Sequence, residues 1–321
     1  MTIEIPKEKW SGQVREITLG ATAEEGGTRA RTLTVGGEST LPYLYFEGEI
    51  PHPPALAIEV HDRKPEDWSP LLLEAWGAAA ENPAAWAKAA EAAGADMIYL
   101  TFSLTKADGE PNTPENARAV VRSVLDATGL PLAVAGTGQA EADNELMVAV
   151  AEEGVGERLL LGVCEENNYR TIVAAALAHK HLVQSRTPMD VNLSKQLVIL
   201  INDMGMPLER IIMDPTTGAL GYGIEYGYSV MERLRLAALT GDSMTQQPMM
   251  VTPGEEAWKV KEAKVGEGVP TEWGDWEKRA LEWEAVTATS LVHSGADIDV
   301  LRHPETLKRV RAVVDALTQG A

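Results

Sequence analysis

Three successive segments decide the fold class of this chain: GADMIYLTF at residues 94–102, PENARAVVRSVLDAT at 114–128 and LPLAVA at 130–135. The first and last segments are short, nearly continuous apolar runs, which is typical of strands buried on both faces of a parallel sheet. The middle segment is compatible with a helix, and Thr113-Pro114 places a cap and a proline at its start. These segments therefore predict a strand–helix–strand unit with parallel strands.

Similar units repeat along the rest of the chain. Further apolar runs occupy residues 55–60 and 158–163, and weaker ones occupy 181–185, 210–214, 248–252 and 296–301. Helix-compatible segments lie between several of them, at residues 141–153, 192–204 and 225–239. This repetition predicts a (βα)8 TIM barrel over residues 51–321. A doubly wound sheet is disfavoured, because no glycine-rich phosphate turn follows Val60.

Residues 1–50 follow a different pattern. Residues 14–19 and 32–35 alternate apolar and polar side chains, and glycine pairs occupy positions 26–27 and 36–37. This alternation predicts one or two β-hairpins with glycine turns. We interpret the segment as an N-terminal β-hairpin arm that caps another part of the molecule.

Composition and charge exclude several classes of function. The chain has 321 residues, with 28 Lys plus Arg against 48 Asp plus Glu, and a formal net charge of −20. Since it contains no basic cluster, we expect no binding to nucleic acid or to a membrane surface. Cys164 is the only cysteine, so this chain alone cannot build a disulfide or a cysteine-ligated iron–sulfur cluster. No signal peptide or membrane-length apolar segment is visible, and we expect a cytoplasmic protein.

Function in a TIM barrel concentrates at the carboxyl ends of the strands. The residues that follow the predicted strands are mostly small and polar, and their amides and hydroxyls suit hydrogen bonds to an amide-rich cofactor. The candidate cofactor-binding residues are Thr101, Thr137, Asn167, Asn168, Ser185, Thr187, Asp214, Thr216, Thr217 and Gly218. The alternative that they are helix caps and turn residues stays open.

Other strand-end residues have simpler interpretations. His61 beside Asp62 could bind metal or transfer protons, but no second histidine follows at ligand spacing. Cys164 could act as a nucleophile, although a buried neutral thiol is the simpler interpretation. The Glu165-Glu166 pair could serve as acid and base, whereas a solvated pair is the simpler interpretation there. We therefore predict no catalytic residue and no metal ligand in this chain.

The connection formed by residues 252–276 is too long for an ordinary βα loop. It contains Trp258, Trp273 and Trp276, and tryptophans on a long loop over the barrel opening predict a lid or an interface. The alternative is a loop that folds back onto its own helices.

Four segments resemble one specific family: NPAAWAK at residues 82–88, GADMI at 94–98, DPTTGALGYG at 214–223 and EAWKVKE at 256–262. Together they are similar to the small subunit of the corrinoid iron–sulfur protein of the reductive acetyl-CoA pathway. The archaeal relative of that subunit is the delta subunit of acetyl-CoA decarbonylase/synthase. The glycine-rich segment and the tryptophan-containing loop are the most specific parts of the resemblance.

This resemblance implies a TIM barrel that forms a heterodimer with a large subunit. In that family the large subunit carries a four-iron cluster and a cobalamin-binding domain, and the corrinoid lies at the interface between the subunits. Its cobalt carries a methyl group from methyltetrahydrofolate methyltransferase to acetyl-CoA synthase. The resemblance therefore implies a non-catalytic carrier subunit, with the cluster on the partner only. The chain lacks the Asp-x-His-x-x-Gly signature, so we expect no cobalt ligand from it.

Two other function classes stay open. The chain could be a pterin-dependent methyltransferase that acts on its own, since Asn and Asp residues at strand ends could bind a pterin. It could also be a structural subunit that holds the large subunit without touching the cofactor.

Overall fold

Eight parallel strands form the centre of the computed structural model, which describes residues 5–318. A separate antiparallel pair, β1 (Ile17–Leu19) and β2 (Leu33–Val35), precedes them. The parallel strands are β3 (Ala55–His61), β4 (Met97–Thr101), β5 (Leu132–Ala135), β6 (Leu160–Cys164), β7 (Leu182–Arg186), β8 (Ile211–Asp214), β9 (Met250–Val251) and β10 (Ile298–Leu301). Every one of them overlaps an apolar run predicted from the sequence.

The parallel strands form a nearly closed barrel. Their order is β8-β7-β6-β5-β4-β3-β10-β9, so strands that follow each other in the chain are neighbours in space. A bridge between Met213 in β8 and Met249, just before β9, joins the two ends of this order. The predicted TIM barrel is therefore confirmed, because a doubly wound sheet keeps two open edges.

Helices connect the strands and cover the outside of the barrel. They are α1 (Pro70–Trp76), α2 (Pro83–Ala93), α3 (Pro114–Ala127), α4 (Ala140–Glu153), α5 (Tyr169–His179), α6 (Val191–Asp203), α7 (Ile224–Leu239), α8 (Pro253–Ala257), α9 (Lys261–Lys264), α10 (Trp276–His293) and α11 (Pro304–Thr318). The side chains of Asn82, Thr113 and Asp190 each accept a backbone N–H in the first turn, which fixes the starts of α2, α3 and α6. Within residues 5–318, none of the helices has the length and apolar composition that a bilayer span requires.

Apolar side chains fill the barrel interior up to one end. Ala57, Met97 and Ile212 belong to this interior layer, and Ile17 and Leu19 from β1 close it at the amino ends of the strands. The predicted N-terminal β-hairpin is thus confirmed as one antiparallel pair that plugs the barrel. Because this end is plugged, a ligand can reach the barrel axis only at the carboxyl ends of the strands. We refer to that end as the mouth.

A buried arginine holds the connection between β1 and β2, which spans residues 20–32. The guanidinium of Arg29 lies 2.9 Å from the Glu157 carboxylate and also donates hydrogen bonds to the backbone oxygens of Leu125 and Thr128. Such a pair stabilises only when its remaining donors are satisfied, as they are here. The arm is therefore fixed to the helical layer of the barrel.

The long segment of residues 252–276 packs against α10. Trp258 Nε1 donates to the carboxylate of Glu284 at 2.9 Å, and Trp276 Nε1 donates to the backbone oxygen of Ala263 at 2.8 Å. The Arg279 guanidinium covers the ring of Trp273, with 5.3 Å between Cζ and the ring centroid. The tryptophan contacts therefore agree with the alternative interpretation given above, in which this segment folds back onto its own helices.

Candidate functional site

Charged side chains form a layer at the mouth, above the apolar interior. On β3, Ala55 and Ala57 face the axis, so the period of two places Glu59 and His61 there as well. The same alternation of side chains points further polar residues toward the barrel axis, at or just after the carboxyl ends of β7, β8 and β10: Gln184, Arg186, Asp214 and Arg302.

Glu59 is the centre of the first charged group. The Arg302 guanidinium donates to both oxygens of its carboxylate, with Nε 2.6 Å from Oε2 and Nη2 3.1 Å from Oε1. His61 Nε2 lies 2.8 Å from the same Oε1. Burial alone would raise the pKa of Glu59, but the charge of Arg302 and the contact with His61 outweigh it and hold this pKa well below its usual range. Glu59 is therefore an ionised carboxylate at neutral pH.

Aromatic rings support this group from the side. The Cζ atom of Arg302 lies 4.6 Å from the centroid of the Trp68 ring, which is a cation–π contact. The edge of the same indole meets the His61 ring at a centroid distance of 5.1 Å, and the Trp86 ring stacks against His61 at 6.4 Å. These contacts fix both the guanidinium and the imidazole in place.

Asp214 is the centre of the second charged group. Its Oδ2 accepts hydrogen bonds from Arg186 Nε at 2.8 Å and from Gln184 Nε2 at 2.7 Å. Gln184 Oε1 in turn accepts a hydrogen bond from the Tyr99 hydroxyl at 3.1 Å. In both groups a guanidinium faces a buried carboxylate, so the two pairs add no net charge to the mouth.

Some of the predicted site residues hold the loops at the mouth. Both the backbone N–H and the hydroxyl of Thr137 donate to the carboxylate of Asp143. Asn168 Oδ1 accepts the backbone N–H of Glu165 at 2.8 Å, and its Nδ2 donates to the backbone oxygen of Val163 at 2.9 Å. These polar atoms make hydrogen bonds to other groups of the same chain. They therefore have the capping and turn-forming role that the sequence left open.

The loop after β8 uses its predicted residues in the same way. Thr216 donates its backbone N–H to the carboxylate at the end of β8, and Thr217 Oγ1 accepts the backbone N–H of Thr252 at 2.8 Å. A Cβ atom on Gly218 would lie 2.3 Å from the backbone oxygen of Gly223, so only glycine fits this turn. This loop is thus closed by its own contacts.

The remaining predicted residues divide between the mouth and the outer layer. Alternate residues of a strand face the same side, so Ser185 points toward the helices as Val183 does. Its buried hydroxyl therefore does not reach the mouth. Thr101 Oγ1 lies 3.4 Å from Glu59, and Asn167 is exposed on the loop after β6. Asn167 and Thr187 line one groove beside Arg186, which contacts Asp214, but the Thr187 hydroxyl is paired with Ser194 Oγ on α6 at 2.8 Å.

A groove of about 630 Å³ leads from the mouth along α6. Asn167, Arg186 and Thr187 line it, together with the acidic pair at residues 165–166. The lining from α6 is mostly apolar, and one of its side chains, Leu193, is 42% exposed. The groove therefore joins polar groups at the mouth to an apolar surface.

Of the charged residues at the mouth, only Asp214 is predicted as a site residue from the sequence, whereas Glu59, Arg186 and Arg302 are not. A usable signal exists in ALAIEVH at residues 55–61, where Glu59 interrupts an apolar strand. DIDVLR at 297–302 places Arg302 at the matching end of another strand. A charge in a buried strand is costly without an opposite partner, so Glu59 and Arg302 are candidates for such a pair.

Two predictions concern groups outside the charged layer. Cys164 is buried, and burial raises the pKa of its thiol, so it is a neutral core residue. In the part of the chain that the structure describes, no three His, Cys, Asp or Glu side chains are arranged to hold a metal ion.

Comparison with known proteins points to one family. The model of the CO dehydrogenase/acetyl-CoA synthase delta subunit matches residues 16–310. The acetyl-CoA decarbonylase/synthase complex subunit delta of Archaeoglobus fulgidus is 35% identical over 97% of this chain and 70% of its own length. Subunit delta of Methanopyrus kandleri is 36% identical, over 96% of this chain and 76% of its own length.

Solved structures with a similar fold include dihydropteroate synthases. The enzyme of Xanthomonas albilineans aligns with a TM-score of 0.56 and 14% identity, over 85% of this chain and 96% of its own. The enzyme of Thermus thermophilus aligns with a TM-score of 0.54 and 16% identity, over 94% and 99%. At such identities the similarity concerns the fold alone.

Proposed function

The chain belongs to the CO dehydrogenase/acetyl-CoA synthase delta subunit family, and we propose that it binds and shields a corrinoid at its mouth. A larger partner subunit shares this corrinoid and holds a four-iron cluster. The corrinoid supplies the cobalt that carries a methyl group from methyltetrahydrofolate methyltransferase to acetyl-CoA synthase. The barrel binds and orients the cofactor and performs no bond-making step itself.

The charge balance of the mouth is the observation that supports this proposal. A corrin ring bears neutral amide side chains around its rim, so it needs hydrogen-bonding partners and little net charge. The two charges cancel within each of the Glu59–Arg302 and Asp214–Arg186 pairs. The other carboxylates near the mouth, those of residues 165–166 and of Glu255, are exposed or half-buried and remain solvated. The residues that would hold the cofactor are uncharged, namely Thr101 and Asn167, whereas the buried Thr187 hydroxyl is paired with Ser194 Oγ at 2.8 Å. This set of groups fits an amide-rich neutral ligand.

The modest strength expected for hydrogen bonds between the mouth and the corrinoid also suits a protein that carries this cofactor between enzymes. Each neutral hydrogen bond contributes about 0.5–1.5 kcal/mol net. A few such bonds retain the cofactor without fixing it, and different proteins must approach the cobalt in turn. We therefore expect no cobalt ligand from this chain.

The cluster belongs to the partner in this proposal. A four-iron cluster is held by cysteine thiolates, and this chain has one cysteine, Cys164, which is buried. A purified chain without its partner should therefore contain no stoichiometric iron.

Corrinoid retention by variants of the complex tests the proposal. Asn167→Ala, in this chain coexpressed with the large subunit, should weaken retention by about 2- to 10-fold, because one neutral hydrogen bond is lost. Gln13→Ala is the matched control, since it removes an exposed amide from the N-terminal arm. The measurements are the visible absorbance retained after dialysis and the melting temperature of each variant. Equal retention by both variants would contradict the assignment of Asn167.

The two other function classes predict different results. Turnover of methyltetrahydrofolate by the isolated chain would support an independent methyltransferase. Equal corrinoid retention by the large subunit with and without this chain would support a structural subunit.

A further inference from the structure

We propose that His61 positions the ligand of the mouth, with its Nδ1 accepting a hydrogen bond from an N–H group of a neutral ligand. This role deepens the proposed function and rests on it, since it concerns the same mouth. Three features of the mouth support it: the orientation of the imidazole, its rigid surroundings and its unused nitrogen.

The carboxylate of Glu59 determines which nitrogen of His61 carries the proton. An ionised carboxylate can only accept hydrogen bonds, and His61 Nε2 lies 2.8 Å from its Oε1. Nε2 must therefore carry the hydrogen and donate it. In the neutral imidazole the other nitrogen, Nδ1, then keeps a lone pair and acts as an acceptor.

Arg302 holds Glu59 so that this orientation is maintained. Its guanidinium occupies both carboxylate oxygens, which prevents Glu59 from rotating away from the imidazole. The Trp68 and Trp86 rings contact the imidazole from two directions. The arrangement of arginine, carboxylate and imidazole is therefore rigid, as a group that must present one atom to a ligand requires.

Nδ1 of His61 has no hydrogen-bond partner within residues 5–318 and is not among the enclosed unpartnered atoms. The side chain is 14% exposed at the mouth, so a ligand there can approach this ring. A buried histidine of the same chain shows the contrast. His181 Nδ1 accepts the backbone N–H of Leu159 at 3.1 Å, and its Nε2 lies 2.8 Å from the backbone oxygen of Ala151. Both nitrogens of His181 serve the fold, whereas one nitrogen of His61 does not.

The chemistry of Nδ1 defines the class of ligand. A lone-pair nitrogen accepts from N–H groups and offers nothing to carboxylate or phosphate oxygens, which only accept. The amide side chains of a corrin present N–H groups, and the amino group of a pterin presents the same chemistry. The shared feature is a neutral N–H donor, and the experiment below separates the two sources.

The tautomer of His61 in the full chain is the first test. Long-range ¹H–¹⁵N correlation spectra of the ¹⁵N-labelled protein near neutral pH identify which ring nitrogen is protonated, and a His61→Gln sample assigns the signals. The inference requires a proton on Nε2 and a lone pair on Nδ1. A proton on Nδ1, or on both nitrogens, would overturn the inference.

Titration of the ¹⁵N-labelled chain in complex with the unlabelled, corrinoid-free large subunit identifies the ligand. Cobinamide, a corrinoid without the lower base, and tetrahydrofolate are added separately while the Nδ1 resonance is followed. A shift with cobinamide supports both the inference and the proposed function. A shift with tetrahydrofolate alone supports the N–H acceptor role and contradicts the corrinoid. No shift with either ligand would overturn the inference.

Two substitutions separate a positioning role from a packing role. His61→Phe keeps an aromatic ring and removes Nδ1, so cobinamide affinity should fall by about 2- to 10-fold. His61→Gln should restore most of it, because an amide can donate to Glu59 and still present an oxygen to the ligand. His293→Phe, at an exposed position on α10, is the matched control. Unchanged affinity of a folded His61→Phe protein would overturn the inference, and the spectra of the unsubstituted chain decide it if that variant does not fold.

Discussion

Replacement of Arg302 by methionine should lower the free energy of unfolding by about 3–5 kcal/mol at neutral pH, because it removes the cationic partner of the buried Glu59 carboxylate. Arg302 is 8% exposed and Glu59 is 4% exposed, so water does not compensate for the loss. Methionine keeps an apolar contact with Trp68 but loses the cation–π contact, which adds roughly 1 kcal/mol. The expected loss is a large fraction of the roughly 5–15 kcal/mol that stabilises a typical domain.

The loss should depend on pH in a defined direction. With Arg302 present, the pKa of Glu59 lies below its ordinary value of 4.5. Its stabilising contribution is therefore present above that value and is lost only as the pH falls through the lower folded value. Without Arg302, burial raises the pKa of Glu59, so mild acid protonates the carboxyl and removes the buried charge. The difference in stability should therefore shrink as the pH falls from neutral toward about 5.

Urea unfolding of the full chain, followed by far-ultraviolet circular dichroism, measures this difference. Arg309→Met is the matched control, because its ion pairs with Glu282 and Glu305 lie at the surface and each should contribute no more than about 1 kcal/mol. A double variant, Glu59→Leu with Arg302→Met, should recover most of the loss, since it removes both charges. Equal, small losses for Arg302→Met and Arg309→Met would refute the reasoning from burial.

Three further changes test individual contacts. Thr217→Ala should cost about 1–3 kcal/mol in urea unfolding, because a buried backbone N–H loses its acceptor, whereas Asn167→Ala should stay within about 0.5 kcal/mol. Burial lowers the pKa of His181 to about 4, so the melting temperature should fall as the pH drops from 6.5 toward 4, and a flat profile would contradict this. Trp258→Phe should lower the thermal midpoint by the equivalent of about 1–3 kcal/mol, because buried Glu284 loses a donor.

The strands of the barrel could be predicted because their signals are local. Runs such as residues 96–102 and 130–135 combine buried apolar side chains with a preceding helix that is followed within two residues by a glycine. Turn and cap residues mark the ends of each strand–helix unit, so even a weak apolar run such as 210–214 coincides with a strand of the structure. A capping role of the N-terminal arm is predicted from the sequence, but its place at the amino end of the barrel is not, because it depends on contacts with distant strands.

The site was harder to predict for two physical reasons. A hydroxyl or amide at a strand end, such as Thr217 or Asn168, makes the same hydrogen bonds to a backbone as to a ligand. The sequence also does not show which residue of a neighbouring pair faces inward, so Ser185 was chosen and Arg186 was not. Glu59 and Arg302 form their pair across 243 residues, and only the closed barrel brings them together.

The ratio of corrinoid to protein in the purified complex tests the central claim most directly. This chain and the large subunit are purified anaerobically, alone and together, and the corrinoid is measured by visible absorbance. We predict that the complex retains stoichiometric corrinoid, that the large subunit alone loses most of it, and that this chain alone is colourless. Equal corrinoid in the large subunit alone and in the complex would contradict the claim that this barrel binds the cofactor.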